Sequence, residues 1–208
     1  MALSPDFFDR STLTVARDLL GRHLVRIADD GTRLVGRIVE TEAYTEGDRA
    51  FHGWGLYDEE TGTLRREGRA ADLFRAPGTA YIYLIYGMYW LLNVVTEPEG
   101  RGGGVLIRAV EPLEGAAHMQ QRRAAAKRPV ELTNGPGKLT QAFAVDDRLH
   151  AALLTEPPLF FTAGQPVDDA AVETSARIGL TKGVNRPWRF FIADHPYVSP
   201  GVPSDQRA

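Results

Sequence analysis

Residues 77–93 read PGTAYIYLIYGMYWLLN and hold four of the chain's seven tyrosines. The alternation has a period of two, so Tyr81 and Tyr83 fall on the same face of a predicted half-buried strand. A single glycine breaks the run, which predicts a turn at residues 86–89. Residues 90–96 are then expected to return as the second strand of a hairpin with an aromatic tip.

The tyrosines of this hairpin have two possible roles. Any one tyrosine in a strand is most simply a core residue. A cluster of tyrosines is harder to place in a core, because each buried hydroxyl group needs a hydrogen-bond partner. The cluster therefore favours a pocket with flat aromatic faces and polar rims, and a nucleobase is the natural occupant of such a pocket.

The composition indicates the class of protein. With 208 residues and 22.9 kDa, the chain is expected to form one domain, residues 1–208. Its apolar fraction of 43% and charged fraction of 25% are those of an ordinary globular protein. No apolar run is long enough to span a membrane, and the chain begins with acidic residues where a signal peptide has basic ones. These features predict a cytoplasmic protein without a membrane partner.

The chain has no cysteine, which excludes disulfides, thiolate zinc sites, iron–sulfur clusters and a cysteine nucleophile. Its five histidines are scattered without the close spacing of a metal site, so neither a metal nor another cofactor is expected. The net charge of -3 argues against a large surface that coats nucleic acid. A basic stripe on an acidic body remains compatible with this charge.

Residues 23–27 and 33–40 flank an Asp-Gly pair and are predicted to form a β-hairpin. The second strand continues into the sequence ETEAY, so Glu40 and Glu42 lie two residues apart and share one face of the strand. Such a pair is often only a solvated strand end. Here, however, Tyr44 lies beside the pair and His52 follows shortly after. A carboxylate held against such an aromatic wall is a candidate general base.

Arg108 is a cation inside the apolar run of residues 105–111, which is predicted to be a strand. A buried arginine is normally paired with a carboxylate, and Glu42 is the partner that we expect.

The other elements are predicted from local signals. Residues 11–20 have a hydroxyl cap, helical apolar spacing and a following glycine, and residues 113–123 read as another helix. Residues 159–162 and 189–192 are predicted strands. The proline-rich tail from residue 196 is expected to be loosely ordered.

Basic residues concentrate at residues 65–69 and 122–128. The sequence NGPGKL at residues 134–139 places Gly135 and Lys138 at a predicted helix start. A cation is electrostatically misplaced there unless an anion is bound, so these two residues are predicted to bind phosphate.

Four blocks together closely resemble the alkyladenine (3-methyladenine, N-methylpurine) DNA glycosylase family. They occur in order within roughly residues 10–198, and together they are specific where each alone would be weak. The blocks are GRIVETEAY at residues 36–44, YIYLIYGMYWLLN at 81–93, VLIRAVEPLEG at 105–115 and GPGKL at 135–139.

The resemblance implies a monofunctional enzyme of base excision repair. Such an enzyme flips alkylated or deaminated purines from double-stranded DNA and hydrolyses the N-glycosidic bond without lyase activity. It also implies a single mixed α/β domain with a curved, mainly antiparallel sheet flanked by helices, like the C-terminal domain of methionyl-tRNA formyltransferase. A monomer is expected.

The resemblance also assigns roles to residues. Glu42 would deprotonate the attacking water, which Arg108 would help to hold. Tyr86 would wedge into the gap left in the duplex, and Met88, also at the predicted hairpin tip, is expected to add a second intercalating side chain. By the resemblance, the base would lie between Tyr44 and Tyr83. His52 would meet it at the pocket edge through its backbone, Tyr81 would support it, and Asn93 would crowd the exocyclic amine of guanine.

Two alternatives remain open. The same surface could serve a noncatalytic nucleic-acid-binding module. A glycoside hydrolase could use Glu40 and Glu42, but two carboxylates on one face must leave room for a sugar between them, and no tryptophan platform is evident.

Overall fold

The computed structural model describes residues 1–58, 60–65 and 68–206. The predicted basic run at residues 65–69 therefore lies partly outside the described residues.

The described segments form strands, short α-helices and 3-10 turns. The strands are β1 (His23–Ile27), β2 (Arg33–Thr45), β3 (Tyr57–Asp58), β4 (Thr63–Leu64), β5 (Ala80–Ile85), β6 (Tyr89–Val95), β7 (Gly103–Glu114), β8 (Leu159–Thr162), β9 (Val172–Ser175) and β10 (Arg189–Ile192). The α-helices are α1 (Pro5–Phe8), α2 (Thr12–Asp18), α3 (Ala116–Arg122) and α4 (Pro136–Ala142). The 3-10 turns are Arg69–Phe74, Pro129–Leu132, Asp147–Leu149, Asp169–Ala171 and Ser204–Gln206.

The long strand β2 lies at the centre of the main sheet. The neighbouring strands run in the order β5, β6, β7, β2, β1, β8, while β10 pairs with both β2 and β9. All these pairs are antiparallel. β1 pairs with the first part of β2, and β10 pairs with a later part of it. These two strands share one edge of β2, and β7 pairs with the opposite edge. The predicted fold class, a mainly antiparallel sheet with helices, is confirmed.

Irregular pairing between β2 and β7 bends the sheet. The register shifts between Val35 and Gly36, between Ile38 and Glu40, and between Glu40 and Thr41. Bulges of this kind bend a strand and increase its local twist. The last two shifts lie on either side of Glu40, so the irregular pairing directly precedes Thr41 and Glu42.

The aromatic hairpin forms as the sequence predicted. β5 and β6 pair from Ala80 with Val94 to Ile85 with Tyr89, so the return strand begins one residue earlier than expected. Tyr86 has φ 54° and Gly87 has φ 66°, left-handed conformations that close the short connection. A tyrosine with a positive φ is uncommon, whereas a glycine adopts this conformation without steric cost. Only one of these two turn positions is therefore free of backbone strain.

Two predicted elements differ from the structure. The predicted helix at residues 113–123 is wrong at its start, because β7 continues to Glu114, which pairs with Val35. Gly115 has φ 79°, and α3 begins only after it. The tail predicted to be loosely ordered is instead packed against the domain: Ser199 and Ser204 are buried, and the hydroxyl of Ser204 accepts a hydrogen bond from the Leu180 amide at 2.8 Å.

The helices cover the sheet. α2 packs against β2 and β7, α4 packs against β6 and β7, and α3 packs against α4. Among the described residues, no helix is long and apolar enough to cross a membrane. The main core lies between these layers and includes Phe8, Leu19, Leu34, Ile38, Ile82, Leu92, Ile107, Phe143 and Phe161.

A second, smaller core lies under the aromatic hairpin. Its fully packed members are Phe51, Leu73, Phe74, Tyr81 and Val95. Tyr44 and Tyr83 pack against this cluster while remaining partly exposed. The cluster therefore supports two tyrosines from below and leaves part of each ring accessible.

The hairpin offers a test of where the folding energy lies. Leu92 is fully buried, whereas 45% of Leu84 is exposed in the partner strand. Leu92→Ala is expected to lower the free energy of unfolding by about 2–5 kcal/mol, because it leaves a cavity. The matched variant Leu84→Ala should change it by no more than about 0.5 kcal/mol. Denaturant melts of both variants measure the difference, and similar losses would contradict the assigned core.

Candidate active site

A cavity of about 710 Å³ opens between the aromatic hairpin, the end of β2 and the start of α4. It brings together all the residues predicted to form the site except Met88. The residues of that prediction that line it are Glu42, Tyr44, His52, Tyr81, Tyr83, Tyr86, Asn93, Arg108, Gly135 and Lys138. Residues from segments far apart in sequence thus meet in one place.

Glu42 is a buried carboxylate with three donors. Its Oε2 accepts a hydrogen bond from the Tyr44 hydroxyl at 2.7 Å and lies 3.2 Å from Nη1 of Arg108. Its Oε1 accepts a hydrogen bond from the backbone amide of Ile178 at 2.7 Å. Glu42 is fully buried and forms part of the cavity wall. These contacts compensate the negative charge and fix the direction of the carboxylate.

Arg108 bridges the two glutamates. Its Nε donates to Oε1 of Glu40 at 2.8 Å, while Nη1 faces Glu42. The predicted pairing of Arg108 with Glu42 is therefore confirmed, although Glu40 is the nearer partner. Burial by itself would lower the pKa of Arg108, but the two carboxylates raise it above its ordinary value, so the guanidinium stays charged.

Glu40 is fully engaged by its neighbours. Its Oε1 also accepts from Nε of Arg189 at 2.7 Å and from the hydroxyl of Ser199 at 2.8 Å, and its Oε2 accepts from the Ser199 amide at 2.7 Å. Burial alone would raise the pKa of Glu40, but Arg108 and Arg189 hold it below its ordinary value. This carboxylate does not line the cavity, and the structure gives no support to a pair of free catalytic carboxylates.

The aromatic wall is arranged around Tyr83. The rings of His52 and Tyr83 meet edge to face, with their centroids 4.4 Å apart. Nδ1 of His52 lies 3.1 Å from the hydroxyl of Tyr81, whose ring centroid is 5.6 Å from that of Tyr83. The structure therefore places His52 against the hairpin tyrosines by its side chain, at the exposed rim of the cavity.

The aromatic groups are uncharged near neutral pH. Burial lowers the pKa of His52, so its imidazole is neutral. Burial raises the pKa of Tyr81 to about 12 and also raises the pKa of Tyr83. Burial and then Glu42 raise the pKa of Tyr44, while Arg177 acts in the opposite direction. The wall therefore presents neutral rings with hydroxyl groups that can form hydrogen bonds.

The tip of the hairpin projects apolar groups into solvent. Tyr86 is 79% exposed and Met88 is 66% exposed. Tyr86 also lines the mouth of the cavity, whereas Met88 does not. Large exposed apolar side chains beside a pocket indicate a surface that is covered during function.

The start of α4 lies at another side of the cavity. Gly135 precedes Pro136, and the ammonium of Lys138 donates to Oδ1 of Asn134 at 2.7 Å. Burial, and after it the positive charge of Arg123, lowers the pKa of Lys138. Arg123 lines the same cavity, so the two cations lie on one side of it.

Asn93 is buried in β6, where its Nδ2 donates to the backbone carbonyl of Tyr81 at 3.2 Å. Asn93 and Tyr83 line the same cavity.

Sequence reasoning missed several residues that support the site. Arg189 lies inside an apolar run, the same signal that identified Arg108, and it could have been found in the same way. Ser199 and Ile178 act largely through backbone amides, which leave no mark in a sequence. Arg177 is fully buried behind Tyr44. Among the described residues, no group of three or more potential metal ligands comes together.

Comparisons with known proteins agree with the resemblance seen in the sequence. The family model described as Methylpurine-DNA glycosylase (MPG) matches residues 6–196. A protein of Salinibacter ruber is 59% identical over 97% of this chain and 98% of its own length. One from Prosthecochloris aestuarii is 42% identical over 95% and 91%, and one from Gloeobacter violaceus is 42% identical over 96% and 87%. All three carry the name 3-methyladenine DNA glycosylase, which was assigned to them by inference. The chain therefore belongs to the methylpurine-DNA glycosylase family.

Proposed function

We propose that this protein removes alkylated or deaminated purines from double-stranded DNA by hydrolysing the N-glycosidic bond. The substrates are of the class that includes 3-methyladenine, 7-methylguanine, hypoxanthine and ethenoadenine. The observation that carries the proposal is the position of Glu42, a charge-compensated carboxylate in the wall of an aromatic pocket. The damaged duplex would be bound by a monomer in the cytoplasm.

Access to the pocket requires that the base leave the duplex. A purine in a base stack cannot reach a recessed carboxylate, and extrusion costs a few kcal/mol, least for damaged or mispaired bases. Tyr86 and Met88 project from the hairpin beside the pocket mouth and offer apolar surface to the vacated stack. Insertion of these side chains would offset part of the cost of extrusion.

The pocket suits a flat purine. Tyr44 and Tyr83 both line the cavity and remain neutral, so their rings can stack on a base without competing charge of their own. Alkylated purines with a positive charge gain a further attraction to a ring face. Asn93 lies in the same wall and would crowd the exocyclic amine that distinguishes guanine.

The chemical step is a displacement by water. A water molecule activated by Glu42 and held with the help of Arg108 would attack C1′ of the sugar while the glycosidic bond breaks and its electron pair leaves with the base. Glu42 would accept the proton from the water and stabilise the positive charge that develops on the sugar. The product would be an abasic site in an unbroken strand.

An amine nucleophile is not favoured. Of the described residues that line the pocket, Lys138 is the single lysine, and its ammonium is already bonded to Asn134. A lysine at the start of a helix beside Gly135 is better suited to a phosphate of the DNA backbone. We therefore propose no lyase step through a Schiff base.

Replacing Glu42 tests the chemistry. Glu42→Gln keeps the shape but cannot accept the proton or supply the charge, so base release should fall at least ~100-fold, the usual scale for a positioned general base. In correctly folded protein, the matched variant Glu40→Gln should cause a smaller loss of base release, because Glu40 does not line the cavity. Single-turnover release of free base from lesion-bearing duplexes is the measurement.

Binding of Glu42→Gln to damaged DNA should persist, and borohydride should trap no covalent complex with the unmodified protein. Chelators should not inhibit base release. Full activity in Glu42→Gln, or a trapped adduct, would overturn the proposed mechanism while leaving DNA binding intact.

Replacing Tyr86 tests extrusion. Tyr86→Ser removes the exposed ring and leaves Glu42 and Arg108 in place. Release of base should fall strongly for a paired lesion in duplex DNA and less where the damaged base is already unpaired, since unpairing then costs little. Equal losses on both substrates would assign Tyr86 to the pocket lining instead of the duplex.

Replacing Lys138 tests phosphate binding. Affinity for DNA should fall with salt because neutralised phosphates release counterions, and Lys138→Ala should reduce the slope of log affinity against log salt by about one unit. Lesion preference should be unchanged. Arg33→Ala, at the exposed far end of β2 where Arg33 pairs with Glu114, is the control and should leave the slope as it is. An unaltered slope in Lys138→Ala would remove this residue from the phosphate contacts.

A further inference from the structure

Arg177 is fully buried, and its guanidinium contacts Tyr44, which lines the cavity, and polar groups behind it. Its Nη1 donates to the backbone carbonyl of Ala43 at 2.8 Å, and its Nη2 donates to the carbonyl of Gly183 at 3.1 Å. The guanidinium also forms an ion pair with Asp48, which is buried as well. The proposed catalytic step makes no use of this ion pair.

The guanidinium lies over the ring of Tyr44. Its Cζ is 4.5 Å from the centroid of that ring and 5.3 Å from the centroid of Trp188. Arg177 has no exposed surface, whereas Tyr44 is partly exposed and lines the cavity. The guanidinium therefore occupies the face of Tyr44 that is turned away from the cavity, and the other side of the ring remains for a ligand.

A cation on one face of an aromatic ring changes what the other face attracts. The negative face of an aromatic ring attracts a cation. A cation on the cavity face of Tyr44 would in addition be repelled by a guanidinium on the opposite face, and this repulsion is weakly screened in a buried site. A neutral purine is held mainly by dispersion and burial of its apolar surface, and these depend little on the charge behind the ring.

Asp48 limits the effect of Arg177. Its carboxylate pairs with the guanidinium and is itself almost fully buried, so it screens the positive charge from Tyr44. The other charged groups near this ring are Glu42, whose Oε2 accepts the Tyr44 hydroxyl, and Arg108, which faces that same oxygen. Those two groups act at the hydroxyl end of Tyr44, and Arg177 acts on the ring face.

We propose that Arg177 is a specificity-determining residue, which favours neutral damaged purines over cationic ones by placing a positive charge behind the Tyr44 ring. Neutral lesions of this kind are hypoxanthine and ethenoadenine, whereas 3-methyladenine and 7-methylguanine are cationic in DNA. The inference rests on the proposed function, since it assigns the ring of Tyr44 to base stacking. Asp48 sets the strength of the preference.

The test compares two damaged bases in one duplex sequence. The quantity measured is the single-turnover rate of release of 7-methylguanine divided by that of hypoxanthine. The double variant Asp48→Asn with Arg177→Gln removes both buried charges, retains hydrogen-bonding groups and leaves the net charge of the protein unchanged. Its ratio should rise about fivefold, the factor that corresponds to ~1 kcal/mol.

The single variant Asp48→Asn should move the ratio in the opposite direction. It leaves Arg177 in place without its countercharge, so the ratio should fall below the wild-type value. A merely structural disturbance of the pocket would slow release of both bases in both variants and would not produce opposite shifts. The control is Arg33→Gln with Glu114→Gln, which neutralises an exposed ion pair at the far end of β2 and should leave the ratio unchanged.

The outcomes separate this inference from the proposed function. If the wild-type protein released neither base, the proposed function would fail and the inference with it. If the wild type released both bases but the ratio stayed constant in the double variant, or moved in one direction in both variants, only the role of Arg177 would be overturned. Thermal melts identify a variant that fails to fold, and the other variant then decides: a ratio that does not rise in the double variant, or does not fall in Asp48→Asn, contradicts the inference.

Discussion

The structure depends on the pairing of buried carboxylates with buried cations. A buried charge is costly unless it is paired and hydrogen-bonded, and Glu42 meets this requirement through Arg108, Tyr44 and a backbone amide. Arg108 is in turn held by Glu40, and Glu40 binds Arg189 and Ser199. One ionic network therefore joins β2, β7, β10 and the C-terminal segment. Removal of an entire side chain from this network would leave its partner uncompensated, so the geometry of the site depends on the network as a whole.

The sheet places this network beside the pocket. β2 is paired along both edges, and its irregular register with β7 falls on either side of Glu40, two residues before Glu42. The buried centre of the sheet thus carries Glu42 and Arg108, while the aromatic hairpin extends beyond the core with an exposed tip. In the proposed function, the centre of the sheet would hold the reacting group and the hairpin tip would enter the DNA.

The sequence predicted the features that leave a recognisable pattern in a short stretch of residues. Alternating apolar residues predicted the aromatic hairpin, and an arginine inside an apolar strand predicted the pair of Arg108 with Glu42. The helix expected at residues 113–123 was wrong at its start because pairing with β2 overrides local helix propensity there. Ser199 and Arg177 were missed because their importance comes from contacts more than a hundred residues away, with Glu40 and Ala43. Such contacts leave no local pattern.

The most direct test of the proposed base flipping is a crystal structure of the Glu42→Gln variant bound to a duplex that contains hypoxanthine. The purine is expected to lie outside the duplex, between the rings of Tyr44 and Tyr83. C1′ of its sugar should face residue 42, and the side chain of Tyr86 should fill the space left in the base stack. A base that remained stacked in the duplex, or one bound in the pocket with its glycosidic bond turned away from residue 42, would contradict the proposed mechanism.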